Sequence, residues 1–533
     1  MRHDAQGSTA MDVAKVLIAG DWRNANSDST FHAENPATGQ QLPTPFPISS
    51  WKDCDDALAA ASHAAQDLRK IEPERIATFL ETYASNIESS AAQLIEAAHE
   101  ETALPISPRL KDVELPRTVS QLRQAAAAAR EESWKRATLD LKLNIRSYFA
   151  PIGPVVVLGP NNFPFAFNGI SGGDFAAAIA AGNPVIAKAH PLHPNTTRLL
   201  AEEARKALAT TGLPMATVQM FYQVSNEDGL RLMSDPRVGA IAFTGSRPVG
   251  LRLKEAAESA GTPVYLEMSS INPVIFLPGA LAERGDQLAQ ELADSCLAGS
   301  GQFCTSPNLI LLLQSDATET LLQKVATIFK GRPSQPLLSS GGRKHLSQGV
   351  NALRDAGAQL VTGGSIADGP GYRYANTLLR TTAEHFLSSN KALQREVFGN
   401  ATLAVAAADP TQLLEVLQSL EGNLTGSIYS SNSGSDDAVY DQLAPALRQH
   451  VGRLLNDKMP TGVAVSPAMN HGGPYPSTSH PGFTAVGIPA SLTRFAALQC
   501  YDNVRQSRLP TVLKDKIENP STWRLIDGTW VRG

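Results

Sequence analysis

Gly153–Pro160 reads GPVVVLGP, Asp174–Gly182 reads DFAAAIAAG, and Asn183–Pro191 reads NPVIAKAHP. The first contains four apolar residues in a row with no polar alternation, which describes a short strand covered on both faces and so a parallel sheet. The second is an Ala-rich helix stopped by Gly182, a residue that accepts the left-handed backbone of a helix end. The third repeats the strand. Working outward, RLLAEEARKAL (Arg198–Leu208) is a helix halted at GLP, and ATVQMFYQ (Ala216–Gln223) is a strand. VGAIAFTGS (Val238–Ser246) is another strand, with a helix after it. Strand and helix alternating at this rhythm predict a doubly wound α/β sheet.

A second α/β unit starts near Asn272. INPVIFLP (Ile271–Pro278) and NLILLLQS (Asn308–Ser315) are strands with a helical stretch between them. Before the first unit, residues from Leu17 to Pro45 read as short strands around turns, and Trp51 to Arg136 as Ala-rich amphipathic helices. LDLKLNIRSYFAP (Leu139–Pro151) alternates like an exposed β-ribbon, and WRLIDGTWVR (Trp523–Arg532) returns to short β-like pieces. RPSQPLLSSGG (Arg332–Gly342) reads as a surface loop.

A chain of 533 residues exceeds what one core supports, so at least two domains are expected. With 42% hydrophobic and 18% charged residues it is globular. A net charge of −5 excludes a dedicated nucleic-acid binder, whose footprint is a basic patch. The four cysteines (Cys54, Cys296, Cys304, Cys500) are too scattered for a disulfide framework, and no CxxC or Cys/His cluster in the sequence points to a metal. The opening MRHDAQGSTAMDVAKV has no apolar h-region, and no run reaches the ~18 apolar residues of a membrane span. The expectation is a cytoplasmic protein with reduced thiols.

Several positions invite chemistry. Cys304, in GSGQFCTSP, follows a helix-like segment and two glycines, Gly299 and Gly301, that permit close backbone approach. An isolated cysteine is ordinarily inert packing, as Cys296 is expected to be. A thiol of pKa ~8.5 needs local activation to attack at neutral pH. Glu267 ends a strand in PVYLEMSSINP. It is either a solvated strand end or, if partly buried, a general base. Asn162, in VLGPNNFPFAF, stands at the C-terminal edge of a parallel strand, where its amide is either a loop residue or a donor to an oxyanion. Gly245 and Ser246 end a strand and open a helix, whose free N–H groups favour phosphate. Lys188 ends a strand within reach of ligand hydroxyls or, equally, of solvent.

In this order and at these separations the segments resemble the aldehyde dehydrogenase superfamily. The resemblance runs from IAGDWR and NPATG to the last strand and is carried by the NFP of GPNNFP, FTGSRPVG, GQFCTSP and EVFGN. It implies a Rossmann-like cofactor domain (residues 1–138 and 152–271), an α/β catalytic domain (272–490) and a small β oligomerisation ribbon (139–151 and 491–533). It further implies Cys304 as the thiol that adds to an aldehyde, Asn162 with the Cys304 N–H as the oxyanion site, and Glu267 as the base for deacylation. Lys188 matches the adenosine-ribose lysine, Ser246 a pyrophosphate contact, and Glu396 with Phe398 the pair at the nicotinamide ribose.

EMSSINPVIFLP, KAHPLHP, PTGVAVSPAMNHGGPYPSTS and LIDGTW resemble the bacterial α-ketoglutarate semialdehyde dehydrogenases within that superfamily. Where many NAD-preferring members carry Glu, this chain has Pro191, which removes a repulsion against a 2′-phosphate. His190 or His193 would attract that group, so NADP is preferred and NAD stays open. Ser269 and Ser270 replace two glycines beside the nicotinamide. A semialdehyde with a carboxylate wants a cation at the tunnel mouth, for which Arg117 and Arg123 stand in position. Other aliphatic or aromatic aldehydes, a CoA-acylating relative and an inactive structural homologue are the alternatives. A homodimer or homotetramer is expected.

Overall fold

The computed structural model describes residues 12–533; of the opening segment read above, residues 1–11 lie outside the described part. Two seven-stranded sheets dominate. The first runs in the order Val264–Glu267, Ala240–Thr244, Val155–Leu158, Val185–Lys188, Val218–Phe221, Val16–Ile18, Asp21–Arg23. Its first five strands are parallel, and the last two are added antiparallel. Val155, Val156, Ile186 and Ile241 are wholly buried, as a strand covered on both faces requires, and each contributes about 1.5–3 kcal/mol by leaving water.

The flanking helices follow from local sequence. Pro194–Thr211 starts on a proline, ends at Gly212 with φ +68°, and buries Leu199, Leu200, Ala204, Ala207 and Leu208 at three- and four-residue intervals. Its opening N–H groups at Asn195 and Thr196 are each taken at 2.8 Å by the buried carboxylate of Glu101, which satisfies orphan donors at the positive end of the helix dipole.

The second sheet runs Gln359–Thr362, Thr377–Thr382, Ala401–Ala407, Leu309–Leu313, Val274–Phe276, Asn423–Tyr429, Val451–Asn456. Only Gln359–Thr362 is antiparallel. A five-stranded sheet combines Ala496–Asp502, Ile145–Pro151, Thr138–Asp140, Trp523–Ile526 and Thr529–Arg532, so the ribbon and the C-terminal segment form one element.

One expectation is corrected. The Pro/Ser-rich stretch is not all surface loop: Leu337 and Leu338 are 1% and 3% exposed, and Ser340–Asp355 is a helix. Ser339 caps that helix through Gly342 N–H, and Leu337 N–H donates to Tyr372 O at 2.7 Å. Serine and glycine act there as a helix start. Among the described residues, no helix is long and apolar enough to cross a membrane.

Candidate active site

In the first sheet, strands after Val155–Leu158 are laid down on one side and later ones on the other, so the order reverses between Val155–Leu158 and Ala240–Thr244. Doubly wound sheets bind ligands at the carboxyl edge of such a switch. Lys188, Gly245, Ser246, Glu267 and the loop holding Asn162 all lie along that edge, since Leu158 pairs with both Lys188 and Phe243, and Thr244 with Glu267.

Cys304 arrives from the second sheet, in the loop between the helix Pro278–Leu297 and the strand Leu309–Leu313. Gly299, Ser300 and Gly301 have φ of +54°, +57° and +67°, a left-handed reversal that turns the chain toward the cleft. A Cβ on Gly301 would stand 2.2 Å from Gly399 O, so only glycine fits that approach. Asn272 Nδ2 donates to Cys304 O at 2.8 Å and Ser306 O at 2.9 Å, which ties the loop to the crossover between the sheets.

Around the half-buried Cys304 stand the expected amide and acid. Asn162, 5% exposed, donates through Nδ2 to Gln302 O at 2.8 Å. An amide nitrogen carries two hydrogens, so one remains for a ligand. Glu267, 1% exposed, has Oε2 buried without a hydrogen-bond partner. Burial foremost, then the charge of Glu267, pushes the Cys304 thiol well above its usual range, against a smaller pull from Arg117.

The structure also brings in groups the sequence reading missed. His471, 1% exposed, has Nε2 3.4 Å from Cys304 Sγ and 3.1 Å from Glu267 Oε1. No Cys/His cluster is visible along the sequence, yet folding makes one: the donor atoms of Glu267, Cys304 and His471 lie within 4.8 Å of one another. A local signal was present in NHGGP, because Cβ atoms on Gly472 and Gly473 would meet Phe483 O at 2.2 Å and Asn423 O at 2.3 Å. Glycines that tight fix the histidine beside them.

Arg109 was missed too; it donates to Asn162 O at 2.8 Å and lies 4.3 Å over the Phe163 ring. Arg453, half-buried, is pushed down by burial and feels the charge of Cys304.

The two arginines proposed from sequence part company. Arg117 is half-buried, 5.0 Å over the Phe167 ring, with Nη2 lacking a hydrogen-bond partner, and burial pushes it down to about 10. Arg123 instead forms a two-pronged pair with Glu88 at 3.0 and 2.6 Å on the outer surface. It is not among the groups around Cys304, because its helix turns that face toward the neighbouring helix Pro73–Ser89.

Along the rest of the edge, Ser246 is exposed and caps the 13-residue helix Arg247–Ser259 without using its side chain, leaving the helix start open to an anion. A Cβ on Gly245 would meet the Phe243 ring at 2.6 Å. Burial pushes Lys188 down to about 8, and Nζ donates to Ala189 O at 3.0 Å. His190 is half-buried and held well below its ordinary range, by burial first and then by His193 and Lys188. Its Nδ1 accepts Leu192 N–H at 3.2 Å, so its proton sits on Nε2.

The histidines therefore offer no charge to a 2′-phosphate, contrary to the expectation. His193 is 1% exposed and bonded to Pro160 O at 3.0 Å.

Glu396, half-buried like Phe398 two residues on, accepts Ser270 N–H at 3.3 Å and is pushed up to about 7 by burial. Ser270 turns its hydroxyl to Asn272 Oδ1 at 2.8 Å, and Ser269 bonds Glu396. An open helix start and a strand-end lysine on the first sheet's edge, with a carboxylate from a second-sheet loop near Arg247, fit the phosphates and two riboses of a dinucleotide.

The family model described as the aldehyde dehydrogenase family matches residues 22–473. The chain is 36% identical to α-ketoglutaric semialdehyde dehydrogenase 2 of Azospirillum brasilense, over 97% of this chain and 99% of that one. It is 35% identical to α-ketoglutaric semialdehyde dehydrogenase of Acinetobacter baylyi, over 96% and 98%. Among solved structures, the NAD+ complex of a Bacillus cereus aldehyde dehydrogenase superposes with a TM-score of 0.79 at 19% identity, covering 92% of this chain and 96% of that one. Lactaldehyde dehydrogenase of Escherichia coli superposes with a TM-score of 0.79 at 21% identity, covering 92% and 98%. At those identities the two structures speak to the fold.

Proposed function

The chain belongs to the aldehyde dehydrogenase family, and from that premise we propose that it oxidises 2-oxoglutarate semialdehyde to 2-oxoglutarate with NADP as the preferred cofactor. The observation that carries this reading is the meeting of Cys304, Asn162 and Glu267, from two different sheets, beside an arginine with a free N–H. Cys304 adds to the aldehyde carbon as thiolate, giving a thiohemiacetal. Asn162 donates its remaining N–H to the carbonyl oxygen as it gains charge, a contribution typically worth about 10²–10³ in rate. When bound, the nicotinamide supplies a hydride acceptor. The resulting thioester stays on Cys304 until water attacks it, and Glu267 takes the proton of that water through its unpartnered Oε2. Dividing oxidation from hydrolysis explains why the site carries both a nucleophile and a base.

Substrate choice follows from charge. Arg117 lies against Phe167 and has Nη2 unpartnered, an unfilled donor suited to the far carboxylate of a semialdehyde. The names of the two semialdehyde dehydrogenases above support the same class. For the cofactor, Lys188, Ser246, Glu396 and Phe398 would hold riboses and phosphates. Pro191 leaves the 2′-position without a repelling carboxylate, and His190 offers a neutral Nε2–H. Self-association is assigned to the five-stranded sheet, which exposes Leu498 (64%) and Trp530 (56%) at its two edge strands.

The test is purified protein with NAD+ or NADP+, with and without CoA, and an aldehyde panel containing carboxylated and plain chains, followed by absorbance of the reduced cofactor. The expected outcome is turnover without CoA, fastest with 2-oxoglutarate semialdehyde and NADP+. Turnover only with CoA, or equal rates on uncharged aldehydes, contradicts the proposal.

A further inference from the structure

We infer that His471 is a catalytic residue: it takes the proton of Cys304 and holds it as an imidazolium between the thiolate and Glu267. The inference rests on Cys304 being the nucleophile proposed above. The geometry sets one ring nitrogen between a nucleophile and a carboxylate, unlike a triad whose acid holds the other nitrogen; acting as base, the ring keeps its resting proton on Nδ1 and offers the Nε2 lone pair to the thiol. His471 Nε2 is 3.4 Å from Cys304 Sγ and 3.1 Å from Glu267 Oε1, while Nδ1 is buried with no partner. All interactions of the ring as an acid or base thus run through one nitrogen, and that nitrogen faces the reacting sulfur.

The ring is held firmly. His471 N–H donates to Thr484 Oγ1 at 2.9 Å, its carbonyl accepts Ala485 N–H at 2.9 Å, and Phe167 lies 5.7 Å from it. Ser477 O accepts Met268 N–H at 2.7 Å, so the same loop is stitched to the strand end that bears Glu267.

The need for such a base is physical. Burial and the neighbouring carboxylate both oppose a free thiolate at Cys304. Moving the proton only to Nε2 breaks S–H and forms N–H. It leaves an ion pair inside the site rather than a naked anion, and the charge of Glu267 balances the imidazolium. When sulfur then bonds the aldehyde carbon, the electron pair passes to the carbonyl oxygen facing Asn162. The charged groups around the pair are Glu267 from its strand end, Arg117 from the helix Leu115–Glu131, Arg453 from Val451–Asn456 and Glu396 from the EVFGN loop.

The test is the pH profile of iodoacetamide labelling at Cys304, read by peptide mass spectrometry with exposed Cys500 as internal reference. Wild type and His471→Gln are compared; glutamine keeps an N–H near the place of Nε2 but takes no proton. The wild-type rate should hold a plateau below pH 7. In His471→Gln that plateau should vanish, with labelling rising only in alkali and kcat/KM falling about 10²–10³-fold at unchanged cofactor Kd. Superimposable profiles overturn the inference. So does a wild-type profile without the plateau, which decides the matter alone if the variant fails to fold. Labelling of Cys304 that spares turnover strikes instead at the nucleophile on which the inference rests.

Discussion

The two seven-stranded sheets are alike in architecture and opposite in use. The first offers the carboxyl ends of its strands: Lys188, Ser246 and Glu267 sit where strands finish, and Asn162 just beyond one. The second offers the loops that lead into its strands. Cys304 precedes Leu309–Leu313, Glu396 precedes Ala401–Ala407, and Ser269 to Asn272 precede Val274–Phe276. In the proposed mechanism the first sheet grips ligand at its strand ends, and the loop just beyond one strand polarises the carbonyl. The second, in the same mechanism, would deliver the attacking sulfur on a loop bent by three left-handed residues, and Asn272 ties that loop to the crossover between the sheets.

That division is open to attack by mutation. Asn162→Ala removes only the first sheet's polarising donor, so kcat should fall by about 10²–10³ while iodoacetamide still labels Cys304 at the wild-type rate. Lost labelling would mean that Asn162 supports the thiol loop through Gln302 O rather than the reacting oxygen. Arg117→Gln should raise KM for a carboxylated semialdehyde about 10–100-fold and leave propanal unchanged. Arg123→Gln, which breaks only an exposed pair with Glu88, should alter either by less than about twofold. At the far end of the edge, Lys188 carries its charge below about 8 and loses it above. Fluorescence titration should therefore show NADP affinity falling roughly three- to tenfold from pH 7 to 9, and Lys188→Met should flatten that slope.

Legibility in the sequence divides along the same line. The first sheet announces itself, because VVVL, VIAK and AIAFT are buried parallel strands and their ends must form the ligand edge. That places Asn162, Lys188, Gly245 and Ser246 at the edge, while their roles came only with the resemblance to a family. Of the second sheet only Val274–Phe276 and Leu309–Leu313 were plain; Cys304, a loop residue with no period to betray it, drew notice through the glycines before it, and Glu396 through resemblance to a family alone. His471 lay beyond both. It sits 167 residues from Cys304 and 204 from Glu267, in a stretch without regular structure, and its role depends on a contact that only tertiary folding makes. The histidines near Lys188 failed for another reason, since burial strips from them the charge that composition suggests.

The central claim, one carbonyl held among groups from both sheets, is most directly tested by stopping the reaction halfway. Glu267→Gln given 2-oxoglutarate semialdehyde and NADP+ should release one equivalent of reduced cofactor per site and stall. Mass spectrometry should then find the acyl group on the Cys304 peptide and none in Cys304→Ala. Steady hydrolysis at the wild-type rate, or an acyl group on any other residue, would contradict the account.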